Sequence, residues 1–445
     1  MTARSSAPEP RASATGLPVP EASARGTAAA LRTLLKIGPH EGYALALSFL
    51  YFALLLASYY TIRPLRDALG AGVGADQIKY LSAAVFVTML LIVPVFGWLV
   101  GRFRRNVLLP AVYAFFVANL LGFAVAFRAF PDDPWVARVF YVWTTVFNLF
   151  VVSVFWSFMA DLWREEQGRR LFGIIAAGGS LGGLAGPLLT RAVVADVGLA
   201  GVALISAGFL ACTLVTIVLL ARHAGADSAL GRARLDEPVG GAILAGLALL
   251  ARSPFLLGIA ALLALGTTGG MFVYIELADH VRQAFATAAE RTQFYSLRDL
   301  WVNALALVLQ LLVVGRLTSR FGVRTTLLVS GAIFVAAFAA IGLAPSLAAL
   351  AVANVALRTC EFGLAKPSRD MLYTVVDPET KYKVKNVIDT AVYRGSDTVA
   401  GFVHAAIVSA GVSLGGIGWS GVVIALLLVA LGWGVGTGYR ARGGR

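Results

Sequence analysis

Charge is scarce in this chain. Asp, Glu, Lys and Arg make up 14% of its 445 residues, against 58% hydrophobic residues, and mean hydropathy is +0.79. That balance excludes an ordinary water-soluble protein. Cysteine is rare too: Cys212 and Cys360 both fall in apolar runs, read as small core residues, and imply no disulfide. Among the four histidines, His280 and His404 have no clustered ligands, which argues against a metal site. His-Glu-x-x-His, Gly-x-Ser-x-Gly and Walker patterns are missing, so neither an enzyme nor a bound cofactor is expected. Residues 1–40 lack the apolar segment of a signal peptide ahead of Tyr43. A disordered tail is expected there.

Long apolar runs are what the chain has instead. Twelve approach 20 residues, at roughly 43–62, 78–101, 106–127, 135–160, 171–195, 198–221, 254–278, 293–315, 323–343, 346–366, 384–411 and 415–438, each long enough to cross the hydrocarbon core as a helix. The expectation is an all-α membrane protein of twelve transmembrane helices in two six-helix bundles, over 41–221 and 254–439. Between them, 222–253 reads as a polar linker with a short interfacial helix at Val239–Ala251, and 440–445 as a second tail. Lys and Arg concentrate in the loops on one side, which places both termini in the cytoplasm of a bacterial inner membrane. The formal charge of +13 is then a topology signal. Spread over short loops, it gives no footprint for nucleic acid.

The halves share a motif. Gly97-Trp98-Leu99-Val100-Gly101-Arg102-Phe103 recurs as Gly315-Arg316-Leu317-Thr318-Ser319-Arg320-Phe321 about half the chain further on. A repeat of that period points to two similar membrane halves with matching loops as hinges.

Ionisable residues inside the spans are the candidates for function, because each costs roughly 2.5–3.5 kcal/mol to place at a helix centre. Arg358 and Glu361 share a face of the tenth span, either pairing with each other or contacting substrate. In the eleventh span Asp389, Tyr393 and Asp397 share a face, with Arg394 turned towards Glu361. That network either locks the second half or opens during transport, with Asp389, Arg394 and Asp397 in coupling or gating. In the first span an aromatic stripe through Tyr51 and Tyr59 leads to Arg63 and Arg66, first choice for an anion contact because planar guanidinium forks match phosphate and carboxylate oxygens. Pairing with Asp67 is the alternative. Glu276 and Arg298 read as an outer gate pair. Asn148, Asn303 and Gln310 read as cavity groups or interhelical contacts. Gly178, Gly179, Gly182, Gly183 and Gly186 strip side chains from one face of the fifth span, so that another backbone can approach.

Three segments carry a resemblance. Gly97–Asn106 and Gly315–Arg324 resemble the loop motif of the major facilitator superfamily, although Gly101 and Ser319 stand where that family has Asp. Gly173, Gly182, Gly186 and Pro187 resemble part of an antiporter motif of the same family. Tyr60-Thr61-Ile62-Arg63-Pro64-Leu65-Arg66-Asp67-Ala68-Leu69 resembles a segment of the bacterial and plastid ATP/ADP translocases, a branch with the same twelve-span fold. Phe155–Asp161, Lys366–Arg369 and Lys381–Asn386 are similar to segments of bacterial proteins grouped with them. The resemblance implies alternating access around a cavity lined by spans 1, 4, 7 and 10. It implies exchange of an organic anion such as ATP, ADP or another phosphorylated metabolite. Tyr59, Arg63, Arg66, Asn148, Arg358 and Glu361 are the expected substrate contacts, and a monomer in the lipid bilayer is the expected form. Two other readings stand beside it: a proton-coupled carrier of another small molecule, with Glu361, Asp389 or Asp397 carrying the proton, and a non-transporting scaffold or sensor.

Overall fold

The structure, a computed structural model, describes Gly38 and residues 41–103, 105–226 and 239–444. Nearly all of the expected N-terminal tail and residues 227–238 of the linker lie outside the described residues. The rest is helical. In chain order the helices are α1 (Gly42–Val73), α2 (Ala75–Arg102), α3 (Arg105–Ala129), α4 (Pro134–Leu162), α5 and α6 (together Glu165–Ala226), α7 (Val239–Arg252) and α8 (Pro254–Ala284). Then come α9 (288–321), α10 (323–343), α11 (347–375), α12 (378–409) and α13 (Leu414–Ala441).

Among the described residues, nine helices are long and apolar enough to cross a membrane. Two of the nine are double. The first breaks between α5 and α6 at Gly198 (φ 66°), the second between α9 and α10 at Gly322 (φ 82°), a backbone region that glycine enters without strain. α12 is equally long but carries Asp389, Arg394 and Asp397 within its length. Helix starts are set by local chemistry. Asp133 caps α4 and Ser253 caps α8, each followed by proline, and Thr287 and Glu290 form a capping box at α9.

Buried apolar side chains gather mainly in two clusters, one for each half of the chain. Within the first half, α1 and α5 meet backbone to backbone. A side chain on Gly178, Gly182 or Gly186 would collide with the main chain at Phe49, Ala53 and Ala57, respectively. Thr190 extends the same register by donating to the Thr61 carbonyl at 2.9 Å. Steps of four on both helices make this a parallel small-residue seam. Glu41, just ahead of α1, ties that end to α5. It accepts from Arg170 Nη2 at 2.8 Å and Gln167 Nε2 at 2.8 Å, and from the Gly38 amide at 2.7 Å. Its carboxyl is lowered to about 2, chiefly by the Arg170 hydrogen bond.

The second half departs from regular helix in three places. π-helical stretches occupy Leu309–Val314 in α9, Glu361–Ala365 in α11 and Ile388–Val392 in α12. Each inserts extra backbone into a helix and re-aims the turns beyond it, a feature common near functional sites. The short α7 lies against α12, with Gly246 beside the Lys383 main chain. The second loop motif does not end its helix as expected: α9 continues through Gly315 and Arg320 to residue 321 and turns at Gly322.

Candidate functional site

Between the halves lies a cavity of about 550 Å³, within the range of small-molecule sites. The first half contributes walls from α1 (Phe52, Tyr59, Tyr60, Arg63, Arg66), α2 (Ser82, Val85) and α4 (Tyr141, Asn148, Val152). The second contributes α8 (Thr267, Tyr274), α11 (Asn354, Arg358, Glu361, Lys366, Arg369, Asp370, Tyr373) and α12 (Asp389, Tyr393, Arg394, Asp397), with Phe334 from α10. Spans 2, 9 and 11 thus join the expected 1, 4, 7 and 10. The lining reaches the last turns of α11 at Tyr373 and the early turns of α1 at Phe52, so the cavity opens towards the end of the bundle where α1 begins. Nine of the expected site residues line it: Tyr59, Arg63, Arg66, Asn148, Arg358, Glu361, Asp389, Arg394 and Asp397.

The opposite end is sealed by charge. Arg298 of α9 donates through Nη2 to Asp67 of α1 at 2.5 Å and to Asp299 at 2.7 Å. Arg63 Nε stands 3.6 Å from Asp299. Tyr274 of α8 donates to Asp67 at 3.2 Å, and its hydroxyl lies 3.3 Å from that of Tyr141 on α4. All six side chains are buried. Arg63, Asp67 and Tyr141 come from one half and Tyr274, Arg298 and Asp299 from the other, so this seam holds the halves together. Asn303 of α9 adds a bond to the Gly183 carbonyl of α5 at 2.7 Å.

Several expected pairings are corrected here. Glu276 does not meet Arg298. It bonds His404 of α12 at 2.8 Å, while Arg298 is taken by Asp67 and Asp299. Glu361 pairs with neither Arg358 nor Arg394, but with Arg369 at 2.5 and 3.1 Å. The π turn that starts at Glu361 is the cause. Two regular turns bring together residues about seven apart, and the extra backbone makes that eight. Arg394 turns to Asp397 on its own helix, at 3.4 Å. The buried charges are also not confined to the second half, since Arg63 and Asp67 are part of the seam. Gly97, Arg102, Gly315 and Arg320 lie outside the cavity lining, and Gly182, Gly186 and Pro187 belong to α5, whose glycines form the contact with α1. Sequence reasoning passed over Asp299, Lys366, Arg369 and Tyr274 as site residues. The charges of Lys366–Arg369, one to two turns beyond Glu361, were the available signal.

Three cations at the sealed end remain poorly paired. Arg358 stacks over Tyr274 at 5.7 Å from the ring centre and has no hydrogen bond or ion pair among the described residues. Arg66 stacks over Tyr141 at 4.2 Å, comes no nearer than 3.9 Å to Asp67, and has a buried Nε with no partner. Arg63 has the 3.6 Å approach to Asp299 and stacks over Tyr60 at 5.3 Å. Guanidinium groups held this way inside a membrane, with a cavity in front of them, present unsatisfied donors to whatever enters.

Membrane-crossing helices in two halves, joined at one end and parted at the other around a charged central cavity, define a secondary transporter. The chain belongs to the Major Facilitator Superfamily, whose family model matches residues 42–367. Solved structures agree in fold. A POT family transporter in complex with a thioalcohol-conjugated peptide is similar at TM-score 0.64 and 13% identity, covering 90% of this chain and 99% of that one. A bacterial homologue of the iron transporter ferroportin, in an inward-facing state, gives TM-score 0.59 at 13% identity, covering 89% and 98%. The nucleoside transporter NupG gives 0.56 at 15% identity, covering 91% and 99%. No curated protein sequence matches the chain.

Proposed function

We propose that this protein is an alternating-access exchanger of an organic anion, with a nucleotide or another phosphorylated metabolite as its substrate. The observation that carries the reading is Arg358, a guanidinium facing the cavity from within the membrane with no anionic partner. Arg66 and Arg63 beside it supply further donors, and the tyrosines 59, 60, 141 and 274 supply flat apolar faces. The likeness of Tyr60–Leu69 to the ATP/ADP translocases supports a phosphorylated substrate.

In this reading the cavity opens to the cytoplasm, with both termini on that side of a bacterial inner membrane, and the protein works as a monomer. An anion entering from the open end passes Lys366 and Arg369 of α11, reaches Arg358, and competes with Asp299 for Arg63, with Arg66 one turn further along α1. Drawing Arg63 off Asp299 weakens the seam. The opposite end is then free to part as the open end closes over the substrate. Exchange of one anion for another avoids repeated net charge movement, which costs about 2.3 kcal/mol per charge per 100 mV.

Proteoliposomes preloaded with ADP and supplied with labelled ATP test this. Uptake that requires internal nucleotide supports exchange. Uptake that ignores it overturns the reading. A second reading, proton-coupled transport of another small molecule, is favoured by Asp389, which lines the cavity with no ion-pair partner among the described residues. Acceleration by an imposed pH gradient would select it, and a scaffold or sensor would show neither response.

A further inference from the structure

The second loop motif lies away from the cavity, yet it builds a site of its own. Where α9 gives way to α10, Arg320 faces the same groove as Arg440 of α13, and Arg316, Arg324 and Arg442 follow or precede these two by about a turn or less along the chain. A groove here is lined by Gly315, Thr318, Ser319, Arg320, Met371 and Arg440, among others, and no Asp or Glu among the described residues lines it. None of the five arginines has an ion-pair partner among the described residues. Arg440 reaches across from α13 to the Phe321 carbonyl at 3.4 Å, so the two elements share the groove.

Arg324 is the deepest of the group. Its stem fills the space left by Gly436 on α13, and its guanidinium stacks on Trp433 at 4.2 Å. Its Nε is buried without a hydrogen-bond partner. Trp433 and Phe321 are half exposed, and Leu311 and Leu312, one to two turns before Arg316, are exposed as well. An exposed tryptophan and leucines on a membrane helix face acyl chains, and tryptophan favours the headgroup level. Trp433 lies seven residues before Arg440, or about 10 Å along the helix. The arginines therefore sit at headgroup depth, directly outside an apolar face.

We infer that this groove is a binding site for the headgroup of an anionic phospholipid, whose phosphodiester is held by Arg320 and Arg440 while its acyl chains lie along Leu311, Leu312 and Trp433, the ring on which Arg324 stacks. Ser319 occupies the place where a carboxylate would complete the loop, and the lipid phosphate supplies the missing negative charge. Basic pockets between helix ends recognise anionic headgroups in this way. The occupant ties α9, α10 and α13 together at the mouth of the second half. The site does not depend on what the central cavity carries.

Native mass spectrometry of the full chain tests the site, with phosphatidylglycerol and phosphatidylcholine offered at equal concentration. Phosphatidylglycerol should be retained preferentially, and the Arg320→Gln/Arg440→Gln variant should bind it about thirtyfold more weakly. Ser319→Asp removes no contact with lipid but places a carboxylate among the arginines. It should weaken retention as well, and it carries the test if the double variant does not fold. Equal retention of both lipids, or phosphatidylglycerol binding unchanged in Ser319→Asp and in the folded double variant, overturns the inference. Displacement of the lipid by inorganic phosphate at equal concentration overturns it also, because the groove would then be a site for free anions.

Discussion

Asp67 and Arg298 lie 231 residues apart in the sequence and meet at 2.5 Å across the seam between the two halves. In the proposed alternating-access cycle, the pair exists only while that end is shut. Breaking one member leaves a buried charge alone, at a cost of about 3–5 kcal/mol, and the loss falls on the sealed state. In a background with Cys212 and Cys360 replaced by alanine, Lys79→Cys reports on the sealed end, because Lys79 packs against Gly401 of the other half. Adding Arg298→Ala should speed its alkylation by more than about tenfold, a factor that needs only about 1.4 kcal/mol. Unchanged labelling would show that the pair does not hold this end closed.

Arg358 has no ion pair to lose among the described residues, so Arg358→Gln should fold at normal yield. A hydrogen bond to a charged group contributes about 1.5–3 kcal/mol, which weakens anion binding by roughly 10- to 150-fold. Titration of the purified protein with candidate anions, read by thermal shift, checks this. A collapse in yield would instead mark Arg358 as structural.

Glu276 and His404 pair inside the second half, away from the cavity lining. Glu276→Leu leaves the buried imidazole without its partner, a loss of about 1–3 kcal/mol. The thermal midpoint should drop while substrate affinity stays level. An affinity change of the size expected for Arg358→Gln would place Glu276 in the transport path.

Glu41 carries a pH dependence of known sign. Its carboxyl titrates at about 2 in the folded protein against 4.5 ordinarily. With the folded value the lower one, its stabilisation is present in full above about 4.5 and fades as pH falls towards 2. Glu41→Gln should lower the thermal midpoint at pH 7 by a small amount, since solvent screens a pair at this position, and should flatten the profile between pH 4.5 and 2. A parallel displacement of the two profiles would contradict this.

Gly186→Val should be severe. Its Cβ would lie 2.9 Å from both the Ala57 carbonyl oxygen and the Thr61 nitrogen, and main chain cannot swing aside as a side chain can. Overpacking costs about 1–3 kcal/mol even in cores that relax. Folded yield by size-exclusion chromatography should fall well below that of Gly173→Val, whose added carbon meets nothing. Equal yields would mean the seam tolerates separation.

Much of this was legible in the chain. Apolar run length is set directly by bilayer thickness, so the crossings could be read from composition alone. The residues facing the cavity were also within reach, because an ionisable group in a span has few other places to go. Their partners were not. Glu361 reaches Arg369 through a π turn that no spacing rule announces. Arg298 found Asp67 from the other half, where pairing depends on how two bundles dock. Glu276 and His404 come from helices far apart in sequence, so the sequence matches Glu276 to Arg298 and His404 reads as an isolated polar residue. Local periodicity names the faces of a helix, but it is silent on the helix opposite.

Because α1 and α5 touch through main chain at Gly178, Gly182 and Gly186, little compressible lies between them at those rungs. Side chains at an interface act as springs, changing rotamer to absorb a small shift. At these three glycines α5 offers none. Any displacement of α1 is therefore delivered undamped to α5, and through Gly183 to Asn303 on the far side of the seam. Arg63 and Arg66 are mounted on that same pair, so the cavity-facing end of the first half travels as one piece.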